Sequence, residues 1–192
     1  ERYNNSHRGL GRERSNPSKV IAVKKETKEE YLLVDGYNII FSWKELKELA
    51  DENLDGSRNK LMDILSNYQG FKKINIILVF DAYKVKGGLG EVQDYHNIHV
   101  VYTKEAETAD AYIEKVTHEL TKNHHVTVAT SDALEQLIIL GHGGMRLTAK
   151  ELKEDIIDVG EQIRRDYLEK QKTGRSYIGD QFSEEIWKFL KD

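Results

Sequence analysis

Four aspartates stand where strands and a helix would bring carboxylates together. Asp35 ends the apolar run Tyr31-Leu32-Leu33-Val34, and Asp81 ends Ile76-Ile77-Leu78-Val79-Phe80. Asp132 follows Val126-Thr127-Val128-Ala129-Thr130-Ser131, and Asp110 falls in the first turn of a helix opening near Thr108. Short apolar runs that stop abruptly read as buried strands. Separated by helical stretches, they describe a parallel sheet whose carboxyl edge, the ligand edge of open α/β sheets, carries the acids. Converging carboxylates repel, so one or more would take up a proton unless a cation neutralised them. Oxygen donors without a His or Cys pattern suit Mg²⁺ or Mn²⁺. Such an ion can activate water and stabilise in-line attack on a phosphodiester. One Asp at a strand end is ordinary, because Asp serves the local backbone there; four in register carry the reading. Gly36 allows a sharp turn or close approach, and Asn38 tolerates turn geometry.

Other chemistries find little support. There is no Walker loop, and Gly88-Leu89-Gly90 lacks the third glycine of a dinucleotide fingerprint, so no nucleotide cofactor is expected. An aspartyl-nucleophile phosphatase would want a second Asp where Tyr37 stands, and no Gly-x-Ser-x-Gly elbow occurs. His96, His99, His124 and His125 would be the candidates for metal-free acid–base cleavage, but they lie in or beside connecting segments. For RNA the candidate contacts are Lys84 and Lys86, in a glycine-rich loop bordering the acidic edge, and Arg146. Tyr37 and Trp43 offer stacking surfaces, with core packing the favoured reading.

The elements that must position these groups follow from periodicity. Strands are expected at 31–34, 74–80, 98–102 and 126–129. A short helix is expected over 43–49. A second starts at Asp55-Gly56-Ser57 and buries Leu61, Ile64, Leu65 and Tyr68 before Gly70. The helix from Thr108 buries Ala109, Tyr112, Ile113, Val116 and Leu120. Ser131 is expected to cap a helix over 133–140, which Gly141-His142-Gly143-Gly144 stops. Thr148-Ala149-Lys150-Glu151 is a capping box opening a long helix with Leu152, Ile156, Val159, Ile163 and Tyr167 as its stripe. After a loop at 172–179, a last helix from Ser183 buries Ile186, Trp187 and Leu190. The fold class expected is α/β, a three-layer sandwich with a mostly parallel central sheet and C-terminal helices. A linker or arm over 1–28 precedes the domain at 29–170, and a loop and helix follow at 171–192.

The chain has 192 residues, 39% hydrophobic and 32% charged, enough for one domain with an appendage. It has no cysteine, which excludes disulfides and thiolate sites and suits a reducing, cytoplasmic setting. No apolar run is long enough to span a membrane. The chain begins at Glu1 without a signal-peptide pattern, as a processed chain or a piece of a longer one would. Eight Lys and Arg against three Glu give residues 1–28 a charge of +5, so the remainder carries −9 of the net −4. A basic arm ahead of an acidic body suggests nucleic-acid or ribosomal contact at one end.

Leu33-Val34-Asp35-Gly36-Tyr37-Asn38, Val79-Phe80-Asp81-Ala82, Thr103-Lys104-Glu105, Glu107-Thr108-Ala109-Asp110 and Ala129-Thr130-Ser131-Asp132 resemble the YacP-type NYN domains, PIN-like nucleases that include a ribosome-associated mRNA endonuclease. The resemblance runs from about Tyr31 past Thr148. It implies a PIN-like fold, divalent-metal RNA cleavage, and action on mRNA in the ribosomal A site. Asp35 and Asp110 would be the main catalytic metal-binding pair, Asp81 and Asp132 would support them, and Asn38 would orient the RNA. The chain departs from relatives at Ala111, where an acidic residue often follows Thr-Ala-Asp, and at Tyr83, where some carry His. The basic arm resembles the tail of an elongation-factor-like ribosomal protection protein, to which such domains are sometimes fused. The rival readings are a NYN module that docks without cutting and a receiver-like phosphoacceptor domain, which the Thr-Ala-Asp helix start does not suit.

Overall fold

A computed structural model describes residues 27–81, 92–172 and 180–191. Its elements, in chain order, are β1 (Glu30–Asp35), α1 (Gly36–Ser42), α2 (Lys44–Glu52), α3 (Leu54–Lys72), β2 (Asn75–Phe80), β3 (Val92–Tyr95), β4 (Ile98–Tyr102), α4 (Ala109–Leu120), β5 (His125–Ala129), α5 (Ala133–Gly141), β6 (Met145–Leu147), α6 (Ala149–Lys172) and α7 (Asp180–Lys191). Residues 1–26 of the expected basic arm, Lys84 and Lys86 with their glycine loop, Tyr83, the Tyr167 side chain and most of the 172–179 loop lie outside the described residues.

The strands form one six-stranded sheet in the order β3-β4-β2-β1-β5-β6. Every pairing is parallel except β3 with β4. The fold is therefore the expected α/β sandwich. β1 is central, with Leu33 opposite Ile77 on one side and Val128 on the other. Helices cover both faces, so its apolar run has no polar alternation. Leu32 and Val34 join the larger core under α1, α2, α3, α6 and α7, while Leu33 joins the smaller core under α4 and α5. The stripes expected for α3, α4 and α6 face these cores, and Ile186 and Leu190 of α7 complete the larger one. No helix of the described residues is long and apolar enough to cross a membrane.

Three elements escape periodicity. β3 is exposed over most of its length and pairs only with β4, so it has no apolar pattern to read. β6 has only three residues. α1 starts directly at Gly36, where the sequence predicts a sharp turn or a close approach and no helix. Gly36 is required by close approach: a Cβ there would overlap the Phe80 ring. Boundaries also move: α2 runs on to Glu52 and α3 passes Gly70 to end at Lys72. Asp132, not Ser131, caps α5, and α7 begins at Asp180, ahead of Ser183. The Thr148 capping box forms as expected, with Glu151 N donating to Thr148 Oγ1 at 3.1 Å and the Glu151 carboxylate accepting from Thr148 N at 2.8 Å.

Candidate metal centre

At the carboxyl edge of β1 the chain passes without a loop into α1, and Asp35 is the cap, accepting from Asn38 N at 3.1 Å. Burial on this central strand leaves Asp35 only 8% exposed. Asp81 follows β2 and accepts from Ala109 N at 2.7 Å, which fixes the start of α4. Thr108 caps the same helix through Ala111 N at 3.2 Å, and Asp110 therefore emerges from the first turn, facing the edge. Asp132 follows β5 and accepts from Leu134 N at 2.8 Å and Glu135 N at 3.1 Å.

The cluster includes a residue that sequence reasoning missed. Asp35, Asp110 and Glu135 each offer one carboxylate oxygen to a group whose members lie within 4.8 Å of one another. Glu135 is 5% exposed, and neither of its oxygens has a hydrogen-bond partner of normal geometry among the described residues. Asp81 and Asp132 lie outside that group and hold helix starts in place, although their charges reach it. The spacing Asp132-x-x-Glu135 was the available signal, because it sets Glu135 in the first turn of α5 as Asp110 is in that of α4.

The electrostatics are those of crowded acids, of which Asp35 and Glu135 are buried. Desolvation raises Asp35 to about 6; the Asn38 N–H opposes the shift, and the Asp110 and Asp81 charges reinforce it. Desolvation also raises Glu135 to about 7; the Thr130 hydroxyl pulls the other way, and Asp35, Asp110 and Asp132 add to the rise. Asp110 is pushed up by burial and then by Asp132 and Asp81, while its contact with Asp35 lowers it. A carboxylate-only set with two buried oxygens lacking hydrogen-bond partners of normal geometry fits a hard divalent cation, which would offset the repulsion.

Around the cluster, Asn38 Oδ1 accepts from Ser131 N at 2.6 Å, tying α1 to the β5–α5 connection, and Ser42 Oγ meets Ser131 Oγ at 3.3 Å. Arg146 Nη1 donates to Gln136 Oε1 at 3.1 Å, and Gln136 Nε2 donates to the Thr130 carbonyl at 2.8 Å, so Arg146 braces the same connection. Trp43 and Tyr37 are buried: Trp43 Nε1 donates to Ala149 O at 2.8 Å and the Tyr37 hydroxyl accepts from Arg58 Nη1 at 2.8 Å. His96 precedes β4, His99 is its second residue, and His124 and His125 stand at the start of β5. All four histidines thus lie toward the amino edge, away from the acids.

The model of the YacP-like NYN domain matches residues 32–192. The uncharacterized protein YacP of Bacillus subtilis (strain 168) is 40% identical over 137 residues, spanning 71% of this chain and 80% of that protein. The crystal structure of Rae1 (YacP) from Bacillus subtilis matches with a TM-score of 0.64 at 38% identity, over 74% of this chain and 82% of that one. The crystal structure of a tryptophan-to-leucine mutant of the same protein matches with a TM-score of 0.65 at 35% identity, over 83% of this chain and 91% of the other. The family model covers nearly all of the described fold, the acidic edge included, and the chain belongs to the YacP-like NYN domain family.

Proposed function

We propose that this protein is a divalent-metal-dependent endoribonuclease that cleaves mRNA, with the ribosomal A site in the cytoplasm as its setting. The observation that carries the proposal is the carboxylate group Asp35, Asp110 and Glu135, within 4.8 Å, with Asp35 and Glu135 buried and Asp110 exposed. Membership of the NYN family, a nuclease-type family, supports the same reaction class and favours RNA as the substrate. Asp35, Asp110 and Glu135 would hold Mg²⁺ or Mn²⁺, with Asp81 and Asp132 supporting through their charges and through the helix starts they fix. When bound, the ion supplies an activated water and offsets charge on the phosphoryl oxygens. Asn38 keeps α1 and the β5–α5 connection together, so that Asp35 and Glu135 face one another. Lys84, Lys86 and Arg146 are the candidate phosphate contacts, and Asn38 is the residue proposed to orient RNA.

The experiment is one transcript incubated with the full chain in Mg²⁺, in Mn²⁺ and in excess chelator, alone and during in vitro translation. Cleavage that requires the cation and leaves 5′-phosphate and 3′-hydroxyl ends is expected. Cleavage in excess chelator, or 2′,3′-cyclic phosphate ends, would return attention to the histidines. Ribosome association without any cutting would leave the protein a docking module.

A further inference from the structure

α5 is apolar on the side it turns to solvent as well as on the side it buries. Ile139 and Glu135 are its buried residues. Ala133, Leu134, Leu137, Leu140 and Gly141 are all exposed, and helical geometry sets the five within one arc of about 120°. Leu134 and Leu137 are each 67% exposed and Leu140 is 50%. That arc holds no polar side chain, because the one charged residue of α5, Glu135, is buried. The main neighbours of α5 are α4 and β6, and β6 is the edge of the sheet. A surface helix ordinarily turns charged and polar residues to water, and a helix that is apolar all round is one covered on every side. The outer side of α5 therefore has the composition of an interface.

We propose that two copies of this chain pair through α5, antiparallel about a two-fold axis at Leu137. The occupant is a second copy because the face is its own complement. Turned end for end about Leu137, the helix exchanges Leu134 with Leu140 and Ala133 with Gly141. Each leucine then meets a leucine and each small residue a small one, which is the self-match a two-fold interface requires. The same rotation brings Asp132 toward His142 and not toward another acid, and it opposes the two helix dipoles. Charge points to the same place. The chain beyond residue 28 carries −9, and along this arc two such bodies meet without like charges in contact. A Cβ on Gly141 would find nothing within 4 Å, so that end is open to a partner. Three large side chains and two small ones make an apolar patch of roughly a few hundred Å². Doubled by symmetry and widened by its rim, the contact reaches about the 1,200 Å² at which stable pairs begin. Glu135 is on the buried side of α5, so the contact uses none of the carboxylate group, and the pairing does not rest on the nuclease reading.

The test is sedimentation equilibrium of the full chain over a concentration series, in chelator. The 22.2 kDa chain should approach twice that mass. Leu137→Glu sets two carboxylates face to face on the axis and should weaken self-association at least about 100-fold. Leu137→Lys should do the same. An equimolar mixture of these two variants should pair again, because position 137 meets itself. Phe71→Glu, on the exposed ring at the far end of α3, should leave the pair intact. A wild-type chain that is monomeric at every concentration would overturn the proposal and leave the face to a different partner. A pair indifferent to Leu137→Glu, a mixture that stays monomeric, or an equal loss in Phe71→Glu would overturn it as well. Should a charge at 137 unfold the chain, Leu137→Cys decides. The chain has no other thiol, so a short bismaleimide should join two copies of that variant and should not join two copies of Phe71→Cys; the reverse, or no joining, would remove the axis from Leu137.

Discussion

Asp132 and Glu135 stand in one turn of α5 and are used in opposite ways. Asp132 accepts from Leu134 N and Glu135 N and holds the helix start. The buried Glu135 carboxylate has no hydrogen-bond partner of normal geometry among the described residues. Its oxygens face Asp35 and Asp110 instead of folding back on the cap.

That contrast sets a pH dependence. Glu135 and Asp35 are raised to about 7 and about 6 in the fold, above the ordinary unfolded carboxylate near 4. Their protonated forms are the ones the folded state favours. The stability they contribute is complete below about pH 4 and is lost as pH rises through 6 and 7. In chelator, Glu135→Gln should therefore be more stable than wild type at pH 8, by on the order of 1–3 kcal/mol, and indistinguishable at pH 4. Asp132→Ala should be less stable by about 1 kcal/mol through the lost cap. Urea unfolding at both pH values measures this; a Glu135→Gln variant weaker than wild type at pH 8 would show that the carboxylate is stabilising as it stands.

The two acids assigned the main role have a sharper expected phenotype. Asp35→Asn keeps an oxygen for Asn38 N, and Asp110→Asn relieves repulsion. Both should fold while cleaving at least about 100-fold more slowly. Mg²⁺ or Mn²⁺ should raise the melting temperature of wild type but not of either variant. Ca²⁺, with its looser geometry, should bind without supporting efficient cleavage. Near wild-type rates in either variant would remove that residue from the site.

How much of this was legible differs by residue. Asp35, Asp81 and Asp132 were readable because buried parallel strands have continuous apolar runs, and the residue that breaks the run marks the edge. What those carboxylates do there was not readable. Metal ligation and helix capping call for the same residue at the same place, and Asp81 and Asp132 are found capping. Glu135 was passed over for a related reason: its spacing from Asp132 places it in a first helical turn, where Glu ordinarily reads as a solvated dipole partner, and only tertiary packing buries this one. β3 and β6 lacked a pattern because one is exposed and the other is three residues long. α1 was hidden because Gly36 reads locally as a turn, whereas its actual constraint is the ring of Phe80, far along the chain at the end of β2.

That constraint is testable by a double-mutant cycle. Gly36→Ala drives a methyl into the Phe80 ring, which should destabilise by roughly 1–3 kcal/mol. Phe80→Leu alone leaves a cavity and should also destabilise. In the double variant the methyl gains room, so the combined loss should fall below the sum of the two. Strict additivity in urea unfolding would mean that the glycine is needed for some other reason.

The last expectation follows from charge. The chain beyond residue 28 carries −9, and polyanion affinity comes mainly from ion release by Lys and Arg. Arg146, with Lys84 and Lys86, would neutralise only a few phosphates, and Arg146 already braces Gln136. A nuclease of this composition needs its substrate held by something else, as the ribosome holds mRNA in a groove. Naked RNA should therefore be cut weakly and without selectivity, and the same transcript efficiently while it is translated. Removing residues 1–28, which carry +5, should weaken ribosome contact, measured by co-sedimentation, more than it changes Mn²⁺ binding at the carboxylates. Equal cutting of free and translated transcript would take the ribosome out of the mechanism, and equal co-sedimentation of the truncated chain would take the arm out of the contact.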